Sequence, residues 1–264
     1  MSEPVWQNLR SAARQEAEAE PLLAAFLHES VLRHESLGDA LATLLAGKLA
    51  TDTLPAMTLR DLLLAALTTE NVTGQLECDL QAVVDRDPAT LNCLQPLLYY
   101  KGYHALGAYR AAHYFWNQGR RQLPLLLQSR SSEVFGVDIH PAARIGCGMM
   151  IDHATSVVIG ETAVVGDDVS LLHEVTLGGT GKQTGDRHPK VERGVLIGAG
   201  AKVLGNIRIG EASQIGAGSV VLQDVPPHTT VAGVPARPLA ATASELPSLD
   251  MDQDFTRSLN NPTE

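Results

Sequence analysis

Aromatic residues, cysteines and long apolar runs are all scarce in this chain of 264 residues. Aromatic residues make up only 4% of it, so the hydrophobic core must be aliphatic. The three cysteines, Cys78, Cys93 and Cys147, lack CxxC spacing, which argues against a disulfide framework and fits a reducing compartment. The longest apolar run, Leu62 to Leu67, is too short to span a bilayer, and the acidic start has no secretory signal. We therefore expect a cytoplasmic protein without a membrane span.

Positive charge is also in short supply. The chain has 20 Lys and Arg residues against 30 Asp and Glu residues, for a formal net charge of -10. This balance argues against nucleic acid or an anionic membrane as a partner. An anionic ligand would have to be bound by local positive groups or by backbone amides.

A six-residue repeat runs from Ile139 to about Arg237. Small or β-branched residues, among them Thr155, follow the aliphatic positions four places later. A period of six matches neither a helix nor a free strand and is typical of a parallel β-helix. With one two-residue slip after Ile151, the aliphatic positions are Ile139, Ile145, Ile151, Ile159, Val165, Leu171, Leu177, Ile197, Val203, Ile209, Ile215 and Val221.

Glycine follows many of these aliphatic residues, as in Ile145-Gly146 and Ile159-Gly160, and suits a corner that needs unusual backbone angles. The repeat alone is also compatible with an inert structural or ice-binding β-helix. A polar interruption from Gly178 to Lys190 argues for a functional role, because such an excursion costs closure entropy without adding core.

Residues 1–135 differ in composition and are rich in Ala, Leu, Glu and Arg at helical spacing. We therefore predict an α+β protein with an N-terminal α-helical domain over 1–135, a C-terminal β-helix over 136–240 and a flexible tail over 241–264. The apolar spacing predicts helices near Val5 to Glu18, Pro21 to His28, Leu37 to Ala50, Leu59 to Thr69 and Val72 to Arg86, and a longer pair between Pro96 and Gln128.

Four polar stretches could carry chemistry. A structural reading stays open for each, since Asp before Pro is common at helix ends and polar residues are tolerated at β-helix corners. If the stretches converge, His153 could act as a general base, Asp138 could fix its tautomer and Arg187 could bind a carboxylate. The stretches are Arg86-Asp87-Pro88-Ala89, Val137-Asp138-Ile139-His140-Pro141, Ile151-Asp152-His153-Ala154-Thr155, and the interruption containing Asp186-Arg187-His188-Pro189-Lys190.

Metal and covalent chemistry find less support in the sequence. His153, His173 and His188 could converge, but the chain has no close His pair or Cys cluster, so we predict no metal site. Cys147 has no evident base beside it, so packing is a simpler interpretation than a covalent nucleophile.

Together these motifs resemble those of the bacterial serine acetyltransferases, over nearly the whole chain. Hexapeptide repeats alone indicate only an acyltransferase superfamily, whereas Arg-Asp-Pro-Ala in a helical domain with Asp-Arg-His-Pro in the loop is more specific. Besides the four stretches, the resemblance rests on Tyr103-His104-Ala105-Leu106, Trp116-Asn117-Gln118-Gly119-Arg120-Arg121, Thr176-Leu177-Gly178-Gly179-Thr180-Gly181-Lys182 and Val234-Pro235-Ala236-Arg237.

The resemblance implies a left-handed β-helix, which departs from the usual right-handed crossover. It also implies a homotrimer or dimer of trimers with active sites between subunits. The implied reaction transfers acetyl from acetyl-CoA to L-serine, for cysteine biosynthesis, without an acyl-enzyme or a tightly bound cofactor. Because L-cysteine closely resembles serine, we expect it to be a feedback inhibitor.

The resemblance further implies the catalytic residues. His153 would be the general base, oriented by Asp138, and His188 would assist from the neighbouring subunit. The backbone amide of Gly179 would stabilise the tetrahedral oxyanion.

Substrate contacts are implied in the same way. Arg187 would bind the serine carboxylate, and Asp87 and Asp152 would receive its ammonium group. The small residues Ala199 and Ala217 would let the pantetheine arm of acetyl-CoA lie against the backbone.

Two features depart from the family pattern. His173 stands where members usually carry Gln, and it could alter acetyl-CoA contacts or add a titrating group. Members that insert their C-terminus into O-acetylserine sulfhydrylase typically end in Ile, so the terminal Glu264 argues against that partner.

Two rival functions remain at this level. One is acetylation of a sugar or another hydroxyl acceptor on the same scaffold, which would not need a carboxylate at Asp87. The other is a scaffold or regulatory binding module, in which Asp138 and His153 would be incidental.

Overall fold

The computed structural model describes residues 5–181, 184–242 and 244–254. The chain divides into two compact units, Met1–Val134 and Phe135–Glu264. The first unit is helical and the second is built from short, mostly parallel strands. The predicted α+β class is therefore confirmed. No helix in these three ranges is both long and apolar enough to cross a membrane.

The helices agree with the predicted apolar spacing to within a few residues in most cases. The single helix predicted from Pro21 is divided, because a 3₁₀ turn (Pro21–Leu23) precedes α2 and a π-helical turn (His28–Leu32) follows it. The helices are α1 (Val5–Ala19), α2 (Ala24–Leu27), α3 (Leu37–Leu49), α4 (Ala56–Leu67), α5 (Glu70–Arg86), α6 (Leu94–Tyr99), α7 (Lys101–Asn117) and α8 (Gln122–Phe135).

Leucine side chains fill the core of the helical unit, as the low aromatic content requires. One ion pair is buried among them: Arg110 Nε lies 2.6 Å from Asp79 Oδ2, and a second guanidinium nitrogen lies 2.9 Å from Oδ1. Burying charges is tolerable here because the two bonds form a bidentate pair.

Strands of two to six residues build the second unit. Every third strand pairs in parallel up to β13, and β12 then pairs in parallel with β14. The sheets are β1-β4-β7-β10-β13, β2-β5-β8-β11 and β3-β6-β9-β12-β14, with β15 antiparallel to β14. The strands are β1 (Val137–Ile139), β2 (Arg144–Ile145), β3 (Met150–Ile151), β4 (Val157–Ile159), β5 (Val164–Val165), β6 (Ser170–Leu171), β7 (Thr176–Gly178), β8 (Lys190–Val191), β9 (Leu196–Ile197), β10 (Lys202–Leu204), β11 (Arg208–Ile209), β12 (Gln214–Ile215), β13 (Val220–Val221), β14 (Thr229–Gly233) and β15 (Ala236–Ala241).

The predicted aliphatic ladder is the core of this parallel β-helix. All twelve aliphatic positions of the repeat are buried, each with at most 7% of its surface exposed. Residues at the same position in successive coils stack in register, as Ile151 pairs with Leu171 and Leu171 with Ile197. Burying this apolar ladder supplies the main driving force for the fold.

The two-residue slip in the repeat lies in a single corner, residues 152–156 between β3 and β4. Thr155 is exposed there, and Ala154 is fully buried. The longer corner reaches the next strand with left-handed backbone angles at His153, Ala154 and Ser156, whose φ values are 55°, 57° and 62°.

The glycines that follow the aliphatic residues have a different role from the predicted one. Gly146, Gly160 and Gly198 do not have positive φ values. Instead, a Cβ atom at Gly146 or Gly198 would lie within 2.8 Å of backbone atoms in the next coil. These glycines are required because neighbouring coils approach closely, not because the corner needs an unusual angle.

The first part of the predicted tail contacts the β-helix. Residues Pro247–Asp250 form the short helix α9, and the buried Ser170 hydroxyl donates to the carbonyl of Ser248 over 2.8 Å. The side chain of Gln214 donates to the carbonyl of Asp252 over 2.5 Å. Residues 255–264, including Glu264, which argues against O-acetylserine sulfhydrylase as a partner, lie outside the described residues.

Candidate active site

His153 lies in the long corner between β3 and β4. Its side chain is 75% exposed, and its Nε2 lies 3.6 Å from Asp152 Oδ2. A positive φ is uncommon for a residue with a side chain, and such conformations concentrate at functional sites. The corner therefore presents an imidazole to solvent with a carboxylate beside it.

The register of the coils aligns His153 with three other residues, which we call the His153 column. Each member follows an inward aliphatic residue by two positions, and the inward residues Ile151, Leu171, Ile197 and Ile215 are paired in sequence. The column consists of His153, His173, Ala199 and Ala217.

The two histidines of the column are in contact. Their ring centroids are 5.9 Å apart in an edge-to-face arrangement. The Nδ1 atom of His173 is buried without a hydrogen-bond partner. Beyond them the column continues with the methyl side chains of Ala199 and Ala217, which leave a low surface along this corner.

The polar interruption leaves the next corner, between β7 and β8. Lys182 and Gln183 lie outside the described residues. The end of the loop is attached to the preceding coil through the Thr162 hydroxyl, which accepts hydrogen bonds from the backbone N–H groups of Arg187 at 3.0 Å and His188 at 3.1 Å. We call Glu161, Thr162, Gly179, Arg187 and His188 the loop cluster.

His188 is buried in the loop cluster, with 7% of its surface exposed. Its Nδ1 accepts a hydrogen bond from the Thr162 N–H at 3.1 Å and lies 2.8 Å from the Thr162 hydroxyl. The ring covers Gly160, where a Cβ atom would lie 2.1 Å from the imidazole. Burial, together with the charge of Arg187, lowers the pKa of His188 from its usual value.

Arg187 packs over Gly179 and pairs with an acidic neighbour. A Cβ atom at Gly179 would lie 3.4 Å from the carbonyl oxygen of Arg187. One guanidinium nitrogen of Arg187 lies 2.7 Å from Glu161 Oε2, and this hydrogen bond lowers the pKa of Glu161. The arginine thus already holds a carboxylate of its own chain.

The remaining predicted residues lie elsewhere. Asp138 is half-exposed in β1, on the sheet that runs between the corners of the His153 column and the loop cluster. Asp87 belongs to the helical unit, at the end of α5. Its carboxylate accepts from the N–H of Ala89 at 2.9 Å and from the Thr90 hydroxyl at 2.7 Å, so it stabilises the turn that ends the helix.

The structure thus collects the predicted residues other than Asp87 and Asp138 into two groups at different corners of the β-helix. Sequence reasoning gave no role to Glu161 and Thr162. The available signal was the Gly160-Glu161-Thr162 run directly after an inward isoleucine, the same place in the coil at which the loop leaves one turn later. Among residues 5–181, 184–242 and 244–254, no group of three His, Cys, Asp or Glu side chains could hold a metal ion.

Comparisons with known proteins match both the helical unit and the β-helix to families of transferases. The family described as "Serine acetyltransferase, N-terminal" matches residues 5–108, and the family "Bacterial transferase hexapeptide (six repeats)" matches residues 188–223. The serine acetyltransferase of Salmonella typhimurium is 56% identical over 96% of this chain and 93% of its own length. The chain belongs to the serine acetyltransferase family.

Solved serine acetyltransferases share its fold. The enzyme from Vibrio cholerae superposes with a TM-score of 0.93 at 56% identity, over 95% of this chain and 98% of that one. A serine acetyltransferase in complex with cysteine matches at 53% identity and a TM-score of 0.92, over 95% of this chain and 98% of that one. Serine acetyltransferases have also been solved with serine, from Neisseria gonorrhoeae, at 52% identity over 90% and 98% of the two chains (TM-score 0.87), and with coenzyme A, from Brucella abortus, at 50% identity over 92% and 97% (TM-score 0.88).

Proposed function

We propose that this protein transfers the acetyl group of acetyl-CoA to the hydroxyl of L-serine, which gives O-acetyl-L-serine and CoA for cysteine biosynthesis. The observation that carries this proposal is the 56% identity to a curated serine acetyltransferase over 96% of the chain. Relatives solved with serine and with coenzyme A support the same two substrates.

His153 serves as the general base. Its exposed Nε2 lies 3.6 Å from an Asp152 oxygen, so an ammonium group bound by Asp152 would bring the hydroxyl of the same serine within reach of Nε2. Nε2 takes the hydroxyl proton while the serine oxygen forms a bond to the thioester carbon. The C–S bond then breaks, and the sulfur of CoA receives the proton from His153. Asp138 orients the ring from its Nδ1 side.

The loop cluster binds the carboxylate and the developing negative charge. Arg187 exchanges Glu161, which it holds through one guanidinium nitrogen, for the carboxylate of serine, which a guanidinium can bind through two. The backbone N–H of Gly179 donates to the thioester oxygen as it becomes negative, and His188 assists there. Asp87 provides a second carboxylate for the ammonium group, a role that rests on the family resemblance.

The complete site forms between subunits of a homotrimer or a dimer of trimers. The His153 column of one subunit would face the loop cluster of its neighbour, which is consistent with their positions at different corners of a single chain. Ala199 and Ala217 would let the pantetheine arm lie along the column. L-cysteine would bind in place of serine and inhibit, as the relative solved with cysteine suggests.

Thiol release from acetyl-CoA, measured with L-serine and with a panel of sugars and other hydroxyl acceptors, tests this function. We expect release with L-serine and its suppression by L-cysteine. Release with a sugar but not with serine would favour the rival acceptor class. No release with any acceptor, from a correctly folded protein, would favour a binding module.

A further inference from the structure

The Thr162 hydroxyl occupies the centre of the loop cluster. It accepts the backbone N–H groups of Arg187 and His188, and it lies 2.8 Å from His188 Nδ1. A hydroxyl oxygen that already accepts two N–H groups keeps its own hydrogen free for a third partner. The hydroxyl has two further neighbours that can accept this hydrogen, His188 Nδ1 and the carboxylate of Asp186.

The backbone N–H of Thr162 shows independently that His188 Nδ1 accepts a hydrogen bond. The N–H of Thr162 can only donate, and it points at His188 Nδ1 over 3.1 Å. A nitrogen that accepts hydrogen bonds carries a lone pair, so a neutral His188 must hold its proton on Nε2. The backbone donor of Thr162 thus selects one tautomer.

The surroundings keep the ring neutral and fixed. The imidazole is 7% exposed and packs on Gly160, which leaves it no room to turn toward that coil. The charged groups around it are Arg187, Glu161, Lys190 and His140; burial first, and then Arg187, lower the pKa of His188. At neutral pH the ring therefore carries one proton, on Nε2.

We propose that Thr162 is a positioning residue that holds His188 in the Nε2–H tautomer, so that His188 serves acetyl transfer as a hydrogen-bond donor and never as a base. This inference rests on the proposed function and assigns a division of labour within it. His153 moves the proton, and His188 stabilises the negative charge that forms on the thioester oxygen.

A double-mutant cycle tests the proposal. A glutamine at position 188 can place an amide N–H near the place of Nε2–H but has no counterpart of Nδ1. We expect His188→Gln to retain at least about tenfold more kcat than His188→Ala, because only the donor is needed. Thr162→Val keeps the backbone donor to Nδ1 and removes only the hydroxyl beside it, so the ring is held less firmly. We expect kcat to fall by about tenfold in the wild-type background, the value of one charge-stabilising hydrogen bond, and Thr162→Ser should restore it.

The decisive comparison is Thr162→Val in the His188→Gln background. There we expect kcat to change less than about twofold, since the hydroxyl has lost the Nδ1 through which it acts. The KM for serine should rise in both backgrounds, because the Arg187 N–H loses its acceptor in both. A tenfold loss of kcat in both backgrounds, or His188→Gln as inactive as His188→Ala, would overturn the proposal.

Two controls separate this outcome from others. Thr229→Val removes another hydroxyl of the β-helix, one that donates to the Pro227 carbonyl at 3.1 Å, and should leave kcat unchanged. If the wild-type protein releases no CoA with serine, the proposed function itself fails, and that result is visible before any variant is made. Thermal unfolding of each variant identifies losses that come from misfolding.

Discussion

The His153 column and the loop cluster are two ways of building a site on one β-helix. The column is regular: its four residues are aligned because their coils are in register. The loop cluster is irregular, and hydrogen bonds to Thr162 hold it in place. The register of a repeat is enough to align side chains along one edge. It does not place an arginine and a buried histidine at the next corner. That requires a departure from the repeat and an anchor for it.

The largest effect should come from breaking the register on which the column depends. Ile197→Asp places a charge where the side chain is fully buried, so we expect a loss of at least about 4 kcal/mol of stability and little folded protein. Denaturant unfolding or the soluble yield measures this. The matched change Leu222→Asp, at a position 51% exposed, should be tolerated. Equal damage from both would mean that the ladder is not the main source of stability.

Removing His153, the proposed general base, tests the His153 column without unfolding the protein. His153→Ala should lower kcat by about 10²–10⁴-fold, the usual contribution of a general base, and leave the fold intact because the side chain is 75% exposed. His228→Ala is the control, since His228 is also exposed and has a φ of 52°. Near-normal serine-dependent CoA release by His153→Ala would remove His153 from the mechanism.

Displacing His188 tests the loop cluster by geometry alone. Gly160→Ala introduces a Cβ atom 2.1 Å from the imidazole, so the ring must move. We expect kcat to fall by about 10²-fold, because displacements on the order of 1 Å can cost that much. Gly74→Ala, where nothing lies within 4 Å, should have no such effect. An active Gly160→Ala variant would show that the position of His188 is not critical.

A smaller effect is expected at the contact between the column histidines. His173→Gln removes an edge-to-face ring pair, which is worth about 0.5–1.5 kcal/mol. We therefore expect kcat to fall about two- to tenfold, with little change in the KM for serine. A change confined to the KM for acetyl-CoA would instead show that His173 contacts acetyl-CoA.

The smallest effect concerns the pH dependence of stability that the loop cluster introduces. Because the folded state lowers the pKa of His188 below its ordinary value of 6.5, stability is fully present above that pH and falls as the pH drops from 6.5 through the lower folded pKa. His188→Gln should make the unfolding midpoint less sensitive to pH in this range, whereas Thr229→Val, a change of the β-helix outside the loop cluster, should not. Parallel pH profiles for both variants and the wild type would contradict this.

Much of the fold could be predicted from the sequence because its main signal is local. Each aliphatic residue of the repeat is buried in the structure, and the place where the repeat slips became the corner that carries His153. The prediction failed where the cause lay in another coil. The glycines after the aliphatic residues are needed for the approach of the neighbouring coil, not for unusual backbone angles at the corner.

The candidate site was predictable only in part, for the same reason. His153, Arg187 and His188 could be selected by residue type, by their place next to the repeat and by resemblance to a family. Glu161 and Thr162 could not, because their importance comes from contacts with residues 25 or 26 positions later in the chain. The repeat shows that Gly160-Glu161-Thr162 has the same place in its coil as the start of the loop, but not which contacts form there.

The sequence by itself determined the coil and its apolar ladder, because burying a periodic row of aliphatic side chains has one favourable solution. The resemblance to a family came from the motifs Arg86-Asp87-Pro88-Ala89 and Asp186-Arg187-His188-Pro189. Only the tertiary structure decided which residues share a corner and which hydrogen bonds they make. It paired Arg187 with Glu161, and it turned His188 so that Nδ1 accepts from Thr162. These choices depend on distances between coils, and those distances are set only when the coils have stacked.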